Sequence, residues 1–191
     1  MKTINVKVYQ FNELSDDARQ VAMNNYMEHY MDSWYDYVLE DALNVDVYIE
    51  EFDIYRSYCR VRFQQEAEDT AQAIIEEGYA GTLKEIVEEW QEDVNNALKS
   101  YSKYDEYIDW INDRGFTEDD FDFDDWLLYE SGYADDKESM DLDFLKQLAD
   151  YYLKVLQDEY DHYTSESYIE DFYDCNEALF LESGEEAPNE E

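Results

Sequence analysis

The sequence predicts an α+β fold, mostly helical, in which a small antiparallel sheet of about three strands from the N-terminal third packs with about six helices. Three observations predict it. Period-two alternation is confined to the first third, in "KTINVKVYQ" and "VDVYIEEFDIYRSYCRVRFQQ". From about Glu66 onward, apolar residues recur at helical spacing instead. One proline and five glycines in 191 residues leave few points at which a helix must stop.

The elements follow in order. Residues 2–10 place Ile4, Val6 and Val8 on one face of a strand. Ser15 is the expected N-cap of the first helix, with Asp16 and Asp17 where the helix dipole favours acids. Leu14, Ala18, Val21 and Ala22 give it an apolar face, and no Gly or Pro stops it before about Leu43. Two strands follow, the second with Cys59, Val61 and Phe63 on one face and Arg60 and Arg62 on the other. Thr82 and Glu85 have capping-box spacing ahead of Leu83, Ile86, Val87, Trp90, Val94, Ala97 and Leu98. Tyr104, Tyr107, Ile108 and Ile111 mark a shorter helix that Gly115 is placed to end. Leu145, Leu148, Ala149, Tyr152, Val155 and Leu156 mark another, and Tyr168, Ile169, Phe172, Tyr173 and Leu179 a last one. Residues 1–182 read as a single α+β domain, with a strand–helix–hairpin part (1–65) and an acidic helical part (66–182). The tail 183–191, "SGEEAPNEE", reads as disordered and acidic.

Charge dominates the composition. Fifty-two acids against thirteen bases leave −39. Acidic chains are often disordered, but 45% hydrophobic and 17% aromatic residues, twenty of them tyrosines, suffice for a core with wet phenol edges. Self-repulsion opposes compaction, so an excess this large points to selection for the field itself. Residues 1–103 hold 22 acids and 9 bases, and residues 104–191 hold 30 and 4. Salt adaptation predicts an even spread and fewer large aromatics. No apolar run is long enough for a leader or a membrane span, so the expected location is the cytoplasm, that of a host cell if the chain is phage-encoded.

The sign of the charge excludes several functions. Nucleic-acid binders rest on Lys and Arg, and here Arg56, Arg60 and Arg62 are expected to neutralise neighbouring acids. No nucleophile elbow, P-loop, dinucleotide fingerprint or H-E-x-x-H is present, and carboxylate pairs carry no signal among 52 acids. The expectation is no enzyme and no cofactor. Cys59 and Cys175 are too far apart in sequence for a C-x-x-C and read as structural. His29 and His162 lack a set of metal ligands nearby in sequence. Asp120, Asp122 and Asp124 have the D-x-D-x-D start of a calcium loop, but positions six and twelve are Asp125 and Ser131, where Gly and a bidentate Glu are needed. No metal is expected. Thr117 reads as a helix cap with Glu118, Asp119 and Asp120 in the first turn, and Phe121 and Phe123 as anchors.

A nucleic-acid mimic fits the sign. At one charge per 1.7 Å of duplex, 39 charges correspond to roughly 66 Å, whereas a compact domain of this length is only about 40 Å across. That mismatch calls for an elongated molecule, an end-to-end homodimer or charge beyond the mimic face. Helix geometry supplies rows of carboxylates: Glu166, Glu170, Asp174 and Glu177, and more sparsely Asp143, Asp150 and Asp158. The densest stretch is Glu118, Asp119, Asp120, Asp122, Asp124 and Asp125. These thirteen are the candidate partner-binding residues, with Trp110, Phe121, Phe123, Trp126 and Tyr129 as hot spots if exposed.

"VYQFNELSDDARQVAMNNY" resembles the start of a group of small phage and mobile-element proteins, with a strand, then F-x-E-L-S-D-x-A-K/R opening a helix, then a β-hairpin. Phe11, Glu13, Leu14, Ser15, Asp16, Ala18 and Arg19 carry the match over about the first third of the chain; the hairpin lacks the glycines common in that group. The resemblance implies a phage origin more than an activity. In charge, size and helical content the chain is also similar to acidic phage antirestriction and anti-CRISPR inhibitors. The expected partner is a basic nucleic-acid-binding host protein, such as a nuclease, restriction complex or CRISPR effector, with no direct nucleic acid and no membrane. The alternative is a non-mimetic interaction protein: an antitoxin-like neutraliser, a chaperone or an allosteric inhibitor of a basic partner.

Overall fold

The computed structural model describes residues 6–101, 103–118 and 120–188. Among these are eight α-helices and one two-stranded antiparallel sheet: α1 (Asp16–His29), α2 (Asp36–Asn44), β1 (Val47–Asp53), β2 (Tyr58–Phe63), α3 (Ala67–Glu76), α4 (Thr82–Tyr101), α5 (Tyr104–Arg114), α6 (Phe123–Tyr129), α7 (Tyr133–Tyr163) and α8 (Glu166–Cys175). The class is α+β and mostly helical, but the expected three strands are two and the expected six helices are eight. The chain divides into two compact units: unit 1 is Met1–Tyr37 with Val155–Glu191, and unit 2 is Val38–Lys154.

Unit 1 is built on a 3-10 turn, Phe11–Glu13, and on α1 and α8. Phe11, Leu14, Ala18, Ala22 and Tyr26 pack against Ile169, Tyr173 and Phe180 in one apolar cluster. Ser15 caps α1 as expected, its Oγ accepting from the Ala18 N–H, and Ser165 caps α8 in the same way through Tyr168. The strand expected at 2–10 is missing over its described part: Tyr9 alone pairs, in both directions at 2.9 Å, with Phe180. Ile4 lies outside the described residues. Of the tail expected to be disordered, residues 183–188 are described and 189–191 lie outside the described residues. Phe180 also bridges Glu186, Leu181 donates to the Glu185 carbonyl, and Gly184 closes the turn at φ +87°. The buried Phe180 ring anchors the turn from one side and Gly184 fits against Ala18 on the other, contacts that an acidic composition does not announce.

The first helix stops at His29 rather than running to about Leu43. Residues 30–35 turn through Ser33 at φ +69°, and Trp34 packs edge-on against Tyr160, 5.3 Å between centroids. The break is made by that aromatic contact without Gly or Pro.

Unit 2 holds the hairpin and α3 to α6. β1 and β2 pair from Val47↔Phe63 to Asp53↔Tyr58, with an irregularity between Ile49 and Glu51. The alternation on β2 follows the sequence: Arg60 and Arg62 exposed, Cys59, Val61 and Phe63 half-buried. α4 begins at Thr82 itself, and the Gly81 carbonyl accepts from Glu85, so Thr82 is the first helical residue rather than the expected cap. Leu83, Ile86, Val87 and Trp90 are its buried stripe. Gly115 ends α5 at φ +72°, as expected.

Phe144, on α7, is 1% exposed; it stacks on Trp90 at 5.1 Å and lies 5.7 Å from Phe63. Tyr152 is fully buried and its hydroxyl has no hydrogen-bond partner among the described residues, a cost of about 1–3 kcal/mol for a desolvated donor. Burial, reinforced by Asp41, pushes its phenol far above the usual range. Tyr152→Phe is therefore expected to raise stability by about 1 kcal/mol in urea unfolding. A loss of that size would show that the hydroxyl is satisfied.

Candidate functional site

The dense acidic stretch starts a helix at Asp122 rather than at the expected Thr117. Asp120 folds back on Thr117, its Oδ2 accepting from the Thr117 N–H at 2.9 Å and from Oγ1 at 2.7 Å. Those two bonds hold the Asp120 carboxyl below its usual range. The cap of α6 is Asp122, not Thr117, accepting from the Asp125 N–H at 2.8 Å. Asp124 and Asp125 occupy the first turn, where the helix dipole stabilises them. Asp119 lies outside the described residues.

Phe121 and Phe123 are anchors as expected. Phe121 lies 5.0 Å from Trp110, and Phe123 stacks on Trp126 at 5.8 Å and meets Tyr107 at 5.5 Å. Of the aromatics proposed as hot spots, Trp126 is buried, Trp110, Phe121 and Phe123 are half-buried, and Tyr129 is 74% exposed.

Tyrosine does work that lysine and arginine do in a balanced protein. Tyr104 donates to Glu118 at 2.6 Å, Tyr101 to Asp136 at 2.5 Å, and Tyr79 to Asp41 at 2.5 Å. The carboxylates beside Tyr101 and Tyr104 raise those phenols above their ordinary range, so both remain neutral donors. A neutral donor orients a carboxylate and leaves its charge in place, whereas an ion pair cancels it. The twenty tyrosines were legible in composition as core edges; this second role needed the geometry.

Seven of the thirteen bases form ion pairs among the described residues. Arg60 meets Glu50 and Glu51 at 3.0 and 3.2 Å, Arg62 meets Glu50 at 3.4 Å, and Arg56 meets Asp53 at 3.5 Å. The hairpin arginines thus neutralise their own neighbours, as expected. Arg19 takes Glu166 at 2.8 Å, which removes the first member of the α8 row. Glu177, its last member, has left the helix at φ +53°, so only Glu170 and Asp174 remain as helical neighbours, the former half-buried. Asp143, Asp150 and Asp158 are exposed along α7, the first two in unit 2 and the third in unit 1. Glu118 and Asp120 to Asp125 belong to unit 2, and Glu166 to Glu177 to unit 1, so the candidate residues divide between the two units.

The skew between sequence halves does not carry over to the units. Unit 1 has 19 acids and 3 bases, net −16 over 74 residues; unit 2 has 33 and 10, net −23 over 117. The density is nearly equal, because the base-free stretch Val155–Glu191 joins the N-terminal residues. What speaks against salt adaptation is then the aromatic content alone.

The residues that carry the resemblance all have local structural work. Phe11, Leu14 and Ala18 are core, Glu13 accepts from the Gln10 N–H at 2.9 Å, Ser15 caps, Asp16 sits in the first turn, and Arg19 bonds Glu166 and the Leu14 carbonyl. Both cysteines are free, and burial pushes the Cys59 thiol up to about 11. The His162 ring lies 5.0 Å from Tyr168. Among the described residues, no group of three or more His, Cys, Asp or Glu is gathered to hold a metal ion, and no helix is long and apolar enough to cross a membrane. The chain matches no protein-family model, no curated protein and no solved structure.

Proposed function

We propose that the chain is an acidic nucleic-acid mimic. It acts as a stoichiometric phage-type inhibitor that occupies the basic DNA- or RNA-binding surface of a host defence protein or another nucleic-acid-binding protein. The reading assigns it no catalysis and no cofactor. One observation carries the reading: carboxylates are held by neutral tyrosines, caps and turns that leave their charge in place, while seven of the thirteen bases are taken up in ion pairs among the described residues. Each unit carries the charge of a duplex about as long as itself. At 1.7 Å per charge, −16 and −23 correspond to roughly 27 and 39 Å, against compact diameters of about 29 and 35 Å. Only the charges on one face meet a partner, which leaves the remainder to steer its approach.

The test is competition. Excess duplex DNA is expected to displace the chain from a basic partner captured at low salt, and rising salt to weaken capture. A complex indifferent to DNA would sink mimicry. Asp124→Asn and Asp125→Asn in unit 2, and Glu170→Gln and Asp174→Asn in unit 1, are expected to keep the fold. Either pair should weaken binding about tenfold if its unit meets the partner. A second reading, a non-mimetic interaction protein, is favoured by a different observation: an apolar groove beside α7, a feature nucleic acid does not have.

A further inference from the structure

Unit 2 has a groove of about 470 Å³ between the end of β2, the start of α3, the end of α6 and the exposed side of α7. Its floor is apolar. Leu142 is 59% exposed and Leu128 43% exposed, and Phe63 and Leu145 are half-buried beside them. Two leucines left in water, one from α6 and one from α7, lining one concavity are what an unfilled contact surface looks like. The groove's single base, Lys137, is already committed, to Asp141 at 2.7 Å and to Glu68 at 3.0 Å. The other oxygen of Asp141 accepts from the Trp90 indole at 3.0 Å, which ties the groove to the Phe144–Trp90 core. Glu66 and Glu138 also line the groove, so four acids stand against one neutralised base.

We infer that this groove receives a cationic amphipathic segment of a protein partner. Its apolar residues would cover Leu128, Leu142, Leu145 and Phe63 while Arg or Lys meets Glu138 and Glu66. Charge decides among occupants. A nucleic acid is repelled by the four acids and has no apolar side chains to offer. A second copy brings another −39. A helix with leucines at i, i+3 or i+4 and i+7 and basic residues on its flanks satisfies both the floor and the rim. The inference deepens the reading of the chain as a binder of a basic protein, but it does not require mimicry.

The probe is an arginine-rich synthetic peptide of about 16 residues with its leucines on one helical face, beside an isomer of identical composition with the leucines scattered. The Trp90 indole N–H resonance of the full chain reports occupancy, since that group bonds Asp141 in the groove wall. The one-faced peptide is expected to bind at least tenfold more tightly than the isomer at about 0.15 M salt and to move that resonance. Leu128→Ser with Leu142→Ser should erase the preference at unchanged net charge. Because both side chains are exposed, the double variant should keep the wild-type unfolding midpoint. Leu142→Ser alone should remove part of the preference if the pair unfolds. Glu138→Lys should weaken both peptides. Equal binding of the two peptides, or a preference that survives the double variant, overturns the proposal. So does dimerisation of the chain alone that the double variant abolishes, which gives the groove to a second copy. The two readings fail separately: DNA that does not compete while the peptide preference persists removes mimicry and leaves the groove, and the reverse result removes the groove and leaves mimicry.

Discussion

Gly184→Ala is expected to cost unit 1 about 3 kcal/mol, a large effect for removing no interaction. A Cβ at this position would stand 2.0 Å from the Ala18 carbonyl oxygen and 2.8 Å from its carbon, both backbone atoms of α1 that a rotamer change cannot move. The backbone also sits at φ +87°, where an L side chain is strained. The turn must then lift away, taking with it the Phe180–Glu186 bridge and the Phe180–Tyr9 pair. Gly78 is the control. It has a similar φ of +75° but nothing within 4 Å of an added Cβ, so Gly78→Ala should cost only about 1 kcal/mol. Amide exchange at Tyr9 and Phe180, whose N–H groups bond each other's carbonyls, should speed up in Gly184→Ala and stay unchanged in Gly78→Ala. Equal costs for the two substitutions would mean that the tail does not close on α1.

Phe144→Ala should destabilise unit 2 by about 3–5 kcal/mol, from lost transfer free energy and the cavity left under Trp90. The consequence reaches the groove. Trp90 without its stacking partner loses the fixed position from which it bonds Asp141, and Asp141 with Glu68 holds Lys137. Urea unfolding should show the energetic cost, and the Trp90 indole resonance should shift or broaden. Phe144→Leu keeps most of the volume and should cost less than half as much. A wild-type midpoint for Phe144→Ala would show that the ring is not the support of this wall.

Much of the helical framework was legible because its signals are local. Ser15, the acids of the first turn of α1 and Gly115 act on their own backbone within four residues, and the stripe from Leu83 to Trp90 repeats at a spacing only a helix brings to one face. The hairpin was legible for the same reason, since alternation alone put Arg60 and Arg62 opposite Cys59 and Val61. The break after His29 was not legible, because no Gly or Pro marks it and its cause, Trp34 against Tyr160, joins residues far apart in the chain. The strand expected at 2–10 was a fair inference from pattern that lacked a partner; a strand needs a neighbour, and among the described residues only Phe180 pairs with Tyr9.

The acidic stretch shows the same boundary inside a few residues. Its composition pointed to anchored phenylalanines among solvated acids, and Phe121 and Phe123 do pack on Trp110 and Trp126. Which acid does which job was set by the path of the chain: Asp120 folds onto Thr117 and Asp122 caps α6. The sequence by itself determined the mostly helical α+β class and the net charge, because composition and short spacings survive any arrangement of the chain. Only the tertiary structure decided that Glu166 is spent on Arg19, that Tyr104 holds Glu118, and that Leu128 and Leu142 share a groove with four acids. Each of these joins residues well beyond one helical turn apart in sequence, and a contact of that kind depends on where the chain returns.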